Sequence, residues 1–419
     1  MAELSDPAAF LRSLFDRAVA VADPMQVVSA HLPQRPKGRL LIIGAGKASA
    51  RMAEAVEDAW GPCDGLVITR YGYGRPCRGI RIVEAAHPVP DAAGVKATRQ
   101  ILDLVRDLGP DDTVVAVISG GGSALLCAPA DTLTLDDKIA VNQALLASGA
   151  PIGAMNVVRK HLSAVKGGRL AAACHPARLV SLMISDVPGD DPAEIASGPT
   201  VAERSTTADA LRIVSRYGID LPENARAVLE RAATVIAPDD PRLSRAETHV
   251  IAAPSQSLEA AAERARAAGC IVHMLGDAIE GEARDVARAH VAQALTHQGS
   301  DKPVLLLSGG ECTVTRRGDG TGGPNAEYVL AAAIALNGAD RIHVLSCDTD
   351  GVDGAAEVAG AIAGPKTLHR AKSVGVDATD ALSRNDAHSF FAAVEGQVVT
   401  GPTLTNVNDF RAILILPAS

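Results

Sequence analysis

The sequence predicts an α/β protein built on doubly wound parallel or mixed sheets, and three observations lead there. Short apolar, β-branched runs alternate with stretches of helical spacing along the whole chain, the rhythm of βα units. That rhythm pauses once, over residues 236–247, where Pro238-Asp239-Asp240-Pro241 opens a polar stretch with no period, and then it restarts. Hydrophobic residues make up 47% of the 419-residue chain but aromatic residues only 2%, so the cores must be packed from Ala, Val, Leu and Ile. The pause divides the chain into an N-terminal domain, residues 1–238, and a C-terminal domain, residues 239–419.

Each element has a local reason. Ser5-Asp6-Pro7 caps a helix running to about residue 22. A strand over 39–43 turns through Gly44-Ala45-Gly46-Lys47-Ala48-Ser49 into a helix ending near 58. Strands over 65–69 and 81–85 follow, the second running into His87-Pro88-Val89-Pro90-Asp91, and residues 94–108 have helical spacing. The apolar run 114–118 is a buried parallel strand that breaks at Ser119-Gly120-Gly121-Gly122-Ser123. Helices are expected around 135–148 and over 154–173, then a strand over 179–184, then two helical stretches to about 233. Beyond the pause come strand 249–252, helix 258–268, strand 270–275, helix 282–295 and strand 303–307. A Thr/Arg-rich hairpin, a helix over 325–336, strand 342–346, a glycine-rich loop, a helix near 386–394 and strand 412–416 complete the chain.

In such sheets ligands sit at the carboxyl ends of strands, and nearly all the polar motifs fall there. Three glycines after the 114–118 strand remove every Cβ from the turn and let backbone N–H groups close on an anion. Ser308-Gly309-Gly310-Glu311 repeats the design after strand 303–307, so two strand–turn loops are expected to read phosphate or carboxylate. Gly44 to Ser49 is a partial dinucleotide fingerprint. Its third glycine is Ser49, and the next strand ends at Ile68-Thr69-Arg70-Tyr71 without the acid that a ribose requires. Lys47, at the expected first turn of a helix, opposes the helix dipole and is better used to neutralise phosphate.

The segment from Asn156 to Leu170 gathers five basic or imidazole side chains in eleven positions: Arg159, Lys160, His161, Lys166 and Arg169. On one helix Arg159, Ser163 and Lys166 share a face and form an anion clamp. Asp186, Asp190 and Asp191 crowd one strand-end loop; Asp348, Asp350 and Asp353 crowd another. Acids so placed suit Mg²⁺ or a general base. Thr400 to Asp409 is dense in polar side chains, including Asn406 and Asn408.

The formal net charge of −9 argues against nucleic acid as a partner and leaves no basic patch for a membrane. No 18-residue apolar window and no leader-like N-terminus are present. The seven cysteines form no CxxC pair and mostly lie in apolar runs, as expected of reduced thiols in a cytoplasmic protein. No G-x-S-x-G elbow supports a hydrolase.

Taken together, residues 44–49, 119–126, 156–170, 185–200, 308–311 and 401–409 resemble the glycerate 2-kinase family, whose C-terminal domain is called MOFRL and whose members are often labelled hydroxypyruvate reductase. The resemblance implies two three-layer α/β/α domains, the first Rossmann-like, with the active site in a cleft between them. It implies ATP-dependent phosphorylation of D-glycerate at its 2-hydroxyl, giving 2-phosphoglycerate, with Mg²⁺ as the cation. The family's characteristic lysine falls on Lys47. Gly46, the Ser119–Ser123 loop, Lys166, Asp186, Ser308, Gly309, Gly310, Asn325, Asn406 and Asn408 are then expected to line the phosphate and substrate sites. Arg159 would hold the carboxylate, Asp190 would be the base with Asp186 second, and Glu311 and Asp350 would hold the metal. Where many members carry Gly-Gly-Arg-Asn-Gln-Glu, this chain has Gly322-Gly323-Pro324-Asn325-Ala326-Glu327, so Arg316, Arg317 or Arg159 must supply the missing charge. Two other readings stand beside the kinase: an NAD(P)H-dependent hydroxypyruvate reductase, and a non-catalytic small-molecule-binding regulator. The Ala-rich helices are compatible with a homodimer.

Overall fold

A computed structural model describes residues 2–231, 235–354 and 356–417. The chain forms two bodies. The first takes Pro24–Asp186 and Asp190–Ile251; the second takes the N-terminal segment through Asp23, the short piece Val187–Gly189 and the chain from Ala252 onward.

The first body is built on a six-stranded sheet of β1 (Leu40–Ala45), β2 (Asp64–Arg70), β3 (Ile80–Ala85), β4 (Thr113–Ile118), β5 (Arg178–Ile184) and β6 (Ala246–Ala252) in the order β3-β2-β1-β4-β5-β6. The pairings from β3 through β5 are parallel. All six residues of β4 are buried, as its unbroken apolar run requires of a strand covered on both faces. The order reverses direction between β1 and β4, so the carboxyl ends of these two strands frame the crevice where doubly wound sheets take ligands. Four helices, Leu135–Ala147, Ile152–His161, Thr207–Arg216 and Glu223–Glu230, share a satellite core around Leu145, Val158, Val214 and Val228. Thr134 with Asp137, and Thr206 with Asp209, close capping boxes at the starts of two of them. The last of the four ends at Glu230, and the expected end near 233 lies outside the described residues.

Three expectations change here. The single helix over 154–173 is two, Ile152–His161 and Arg169–Cys174, separated by a turn in which Gly167 and Gly168 take φ of 55° and 80°. Arg159, Ser163 and Lys166 therefore do not share a helix face. The break between bodies also falls later than residue 238, because the strand after the polar stretch completes the first sheet beside β5. The N-terminal helix Pro7–Ala20, capped by Asp6 as expected, packs in the second body.

The second body carries a mixed sheet of β7 (Ile271–Gly276), β9 (Val304–Gly310), β11 (Ile342–Asp348), β12 (Gly360–Ala363), β13 (Gln397–Val398) and β14 (Asp409–Ile415), ordered β13-β12-β11-β14-β9-β7; β8 (Gly281–Glu282) and β10 (Cys312–Thr313) form a separate small ladder. Phe10, Leu11, Leu14 and Phe15 of the N-terminal helix cover one face with Leu258, Leu305, Leu345 and Phe410. The helices Ala283–Leu295 and Pro324–Leu336 cover the other face, with Val304, Val344 and Ile413. Among the described residues no helix is long and apolar enough to cross a membrane, and all seven cysteines are free thiols, Cys77 alone not buried.

One buried imidazole gives this body a pH dependence. His290 lies 2.9 Å through Nδ1 from the Tyr328 hydroxyl, and burial, assisted by Arg411, lowers it to about 4. The unfolded imidazole titrates near ~6.5. Between these values the unfolded chain binds a proton that the folded chain refuses, so the contribution is complete above about 6.5 and is lost as pH falls towards 4. The urea midpoint of His290→Gln should fall less between pH 7 and pH 4.5 than that of the parent. An equal fall would place the acid sensitivity elsewhere.

Candidate active site

The turn after β1 and the turn after β4 are stitched together. Lys47 N–H donates to Gly120 O at 2.8 Å, Ser119 N–H to Ala45 O at 3.3 Å and Ala48 N–H to Ser119 Oγ at 3.0 Å. Thr69 Oγ1, at the end of β2, donates to Gly46 O at 3.1 Å. Gly46 is obligatory: its φ is 150°, and a Cβ there would stand 2.1 Å from Ser119 Oγ. Lys47 lies in this turn, ahead of the helix Ser49–Trp60 and not within its first turn. Its half-exposed side chain passes Gly121, whose Cβ, if present, would meet Lys47 Cγ at 3.2 Å and the His87 ring at 3.1 Å. The lysine stem, the imidazole and the glycine loop thus converge.

Beside them opens a cavity of about 380 Å³, lined by His87, Gly121, Ser123, Lys138, Asn142 and Arg159 among others, with no carboxylate in its wall. In a chain of net charge −9 this is a locally positive pocket. Arg159 Nε donates to Asn142 Oδ1 at 3.1 Å and Nη1 to Asn156 Oδ1 at 3.2 Å. Neutral amides therefore orient the guanidinium without satisfying its charge, and burial lowers its pKa from the ordinary value.

Of the five basic or imidazole side chains in the 159–169 cluster, Arg159 alone reaches this cavity. Lys160 is buried in ion pairs with Glu194 at 2.8 Å and Glu203 at 2.7 Å. His161 lies 3.3 Å from Ser205 Oγ, and Arg169 donates to Ser163 O at 2.8 Å. Lys166 is fully buried and ties loops together: Nζ donates to Ser123 O at 2.8 Å, Ser123 Oγ at 3.0 Å and Ala196 O at 3.4 Å. Burial pushes its ammonium well below the ordinary lysine value. It braces the glycine loop and is not among the residues that line the cavity.

Asp186 and Asp190 lie on the loop after β5, both partly exposed. Asp190 takes a φ of 55°, in the left-handed region that aspartate enters more readily than most side chains, and its Oδ1 is buried without a hydrogen-bond partner. The same loop continues through Ala196 and Ser197, with φ of 52° and 63°, to Ser197 Oγ, 2.9 Å from Ser123 Oγ. Strained backbone and an orphaned carboxylate oxygen thus sit on the loop that braces the glycine turn. Asp190 itself is not in the cavity wall.

Apart from Glu311, the site residues expected in the second body are buried in its interior. Ser308, Gly309 and Gly310 are not a turn: they continue β9, opposite Arg411, Phe410 and Asp409 of β14, and all three are buried. A Cβ on Gly310 would stand 2.2 Å from Ile279 N. Asn325 donates through Nδ2 to Asp409 at 2.7 Å and Asp353 at 3.3 Å. Asn408 Oδ1 accepts from Asp409 N–H at 2.9 Å, and Asn406 Oδ1 accepts from Asn408 N–H at 3.3 Å. Asp350 is fully buried and accepts from Val352 N–H at 2.8 Å, so it does not suit Mg²⁺; Glu311 is exposed. Among the described residues no group of three or more His, Cys, Asp or Glu side chains could hold a metal. Pro324 occupies the first position of the helix Pro324–Leu336, where its missing N–H costs nothing.

Sequence reasoning missed Lys138. Its signal was a lysine in the first turn of the helix Leu135–Ala147, where a cation opposes the dipole.

Comparison with known proteins agrees with this architecture. Residues 10–230 match a family described as a domain of unknown function, DUF4147, and residues 304–409 match the MOFRL family. A protein of Agrobacterium vitis provisionally named hydroxypyruvate reductase is 54% identical, over 97% of this chain and 94% of its own length. A D-glycerate 2-kinase of Thermotoga maritima is 37% identical over 96% of each chain. The crystal structure of glycerate kinase from Thermotoga maritima superimposes with a TM-score of 0.86 at 35% identity, covering 98% of this chain and 99% of that one. The chain therefore belongs to the glycerate kinase family that joins a DUF4147 domain to a MOFRL domain.

Proposed function

We propose that this protein transfers the γ-phosphoryl group of ATP to the 2-hydroxyl of D-glycerate, giving 2-phosphoglycerate and ADP. The observation that carries the reading is the acid-free cavity at the switch point of the first sheet, where Arg159 stands ready for a carboxylate and Lys47 lies beside the glycine turn. Phosphoryl transfer asks a protein for positioning and charge neutralisation more than for covalent chemistry. Arg159 would hold the carboxylate of glycerate. The 2-hydroxyl oxygen forms the new bond to phosphorus as the bond to the ADP oxygen breaks, and the hydroxyl proton passes to Asp190. Lys47 and the Ser119–Ser123 backbone meet the charge on the phosphoryl oxygens. Mg²⁺ would be carried on the nucleotide phosphates. When bound, it supplies charge neutralisation at those phosphates.

The test is incubation of purified protein with ATP, Mg²⁺ and D-glycerate, with the product identified by NMR. 2-Phosphoglycerate is expected; 3-phosphoglycerate would reverse the substrate in the site. Asp190→Asn should lower kcat by about 10²-fold or more, the contribution of a positioned base. A nearly normal rate would pass that role to Asp186. The strand order of the first sheet, together with the Gly44-x-Gly46 turn, favours a second reading, reduction of hydroxypyruvate by NAD(P)H. Oxidation of NAD(P)H on hydroxypyruvate, with no ATP turnover, would select it.

A further inference from the structure

We propose that Lys138 is a second ligand-binding cation of the cavity, and that Lys138 and Arg159 together recognise one oxyanion; identifying that oxyanion as the carboxylate of glycerate rests on the function proposed above. Lys138 is only 9% exposed, and its side chain forms part of the cavity wall. Among the described residues its ammonium has neither a hydrogen-bond acceptor nor an ion-pair partner. The nearest acid in sequence, Asp137, is committed to the capping box, where Oδ2 accepts from Thr134 N–H at 2.9 Å and Thr134 Oγ1 at 2.8 Å.

Neither surroundings nor helix position explain a lysine here. A lysine of purely structural use commonly extends its head to the outer surface, whereas this one, 9% exposed, lies in the cavity wall. The charges near it are Arg159, also a cation, and the Cys127 thiol, which burial pushes up and so keeps neutral. Two cations in one cavity, with only amides, a hydroxyl and an imidazole as polar company, are compensated when an anion enters. Burial, with help from Arg159, lowers the Lys138 ammonium below its ordinary value, and a bound oxyanion acts in the opposite direction. The remaining wall, from Val89, Pro90, Ile139 and Leu146, is apolar and suits the small carbon frame of a hydroxy acid. A site built on two desolvated cations also rejects a neutral analogue such as glycerol, which would leave both unmet.

The experiment measures binding of D-glycerate, ATP and inorganic sulfate to the full chain by calorimetry, with steady-state kinetics alongside. Parent, Lys138→Met, Lys138→Gln and Lys138→Arg are compared. Lys138→Met and Lys138→Gln should bind D-glycerate at least tenfold more weakly and raise its KM as much, with the KM for ATP within twofold of the parent. Lys138→Arg should recover most of the loss. The ligand-free thermal midpoint of Lys138→Met should stay level or rise, because an uncompensated charge has been removed; a structural lysine would lower it. If ATP affinity falls and glycerate affinity does not, the oxyanion is a nucleotide phosphate, which keeps the clamp and changes its ligand. If the parent ignores D-glycerate altogether, the kinase reading fails, while loss of sulfate binding in Lys138→Met would still sustain the clamp. Affinities for all three anions within twofold of the parent in both neutral variants would overturn the proposal.

Discussion

Lys47→Ala should fold as the parent does and lose about a hundredfold or more in kcat, the scale on which removal of one preorganised charge stabiliser is felt. The structure separates the two halves of that expectation. The backbone of residue 47 is fixed by its own N–H to Gly120 O at 2.8 Å and by Thr69 Oγ1, which reaches Gly46 O at 3.1 Å and Lys47 O at 3.4 Å. Alanine keeps all of these. What it loses is the half-exposed ammonium and the stem that lies along Gly121. Thermal midpoints and steady-state rates with ATP and D-glycerate decide the matter. An unchanged kcat/KM would withdraw Lys47 from the transfer step, and a large fall in midpoint would make it structural.

The largest expected effect on stability is in the second body. Arg411 is 1% exposed in the middle of β14. Its Nη2 donates to Asp409 Oδ2 at 2.6 Å and Gly310 O at 2.9 Å, its Nη1 to Gly309 O at 2.8 Å, and its guanidinium lies 5.7 Å from the Tyr328 ring centre. Arg411→Met would leave the buried Asp409 carboxylate without its ion-pair partner, though Asn325 Nδ2 still donates to it at 2.7 Å, and would take one donor from Gly310 O and one from Gly309 O, which keeps Ile279 N–H at 3.3 Å, at a cost of about 3–5 kcal/mol. Removing both partners, as Arg411→Met with Asp409→Asn, should recover a large part of it. The readout is hydrogen exchange over residues 409–415, because the single tryptophan, Trp60, lies in the first body and would report little of this change. A loss below about 1 kcal/mol would mean that the pair adds little beyond a well-packed apolar replacement.

The fold was largely legible because most of its elements are written locally. The β4 run is apolar throughout, so it could only be a covered strand, and three glycines in a row could only be a turn. Ser308-Gly309-Gly310 carries nearly the same letters and is a strand, because β14 pairs with it from about a hundred residues away. No local pattern contains that information. The same distance hid the fate of the basic cluster: Lys160 is claimed by Glu194 and Glu203, Lys166 by Ser123, and only tertiary neighbours leave Arg159 at the cavity. The polar stretch opening at Pro238 looked like a boundary, yet the chain adds one more strand to the first sheet before leaving it.

The helix Pro7–Ala20 is synthesised before the first body, and its partners are synthesised after it. Phe15 meets Phe410 edge to face at 5.9 Å between ring centres, Ser257 Oγ donates to Ala18 O at 2.8 Å, and Thr405 Oγ1 donates to Ala22 O at 2.8 Å. During translation the leading helix must wait, apolar face uncovered, while the whole first body is made and can fold as a unit. A fragment cut after the first body would carry an orphaned greasy helix, and one beginning at Ala252 would lack a wall of its core. Residues 7–22 and the chain beyond Ala252 are thus a single structural commitment. Expression of separate halves would succeed only if residues 1–23 travelled with the half that begins at Ala252.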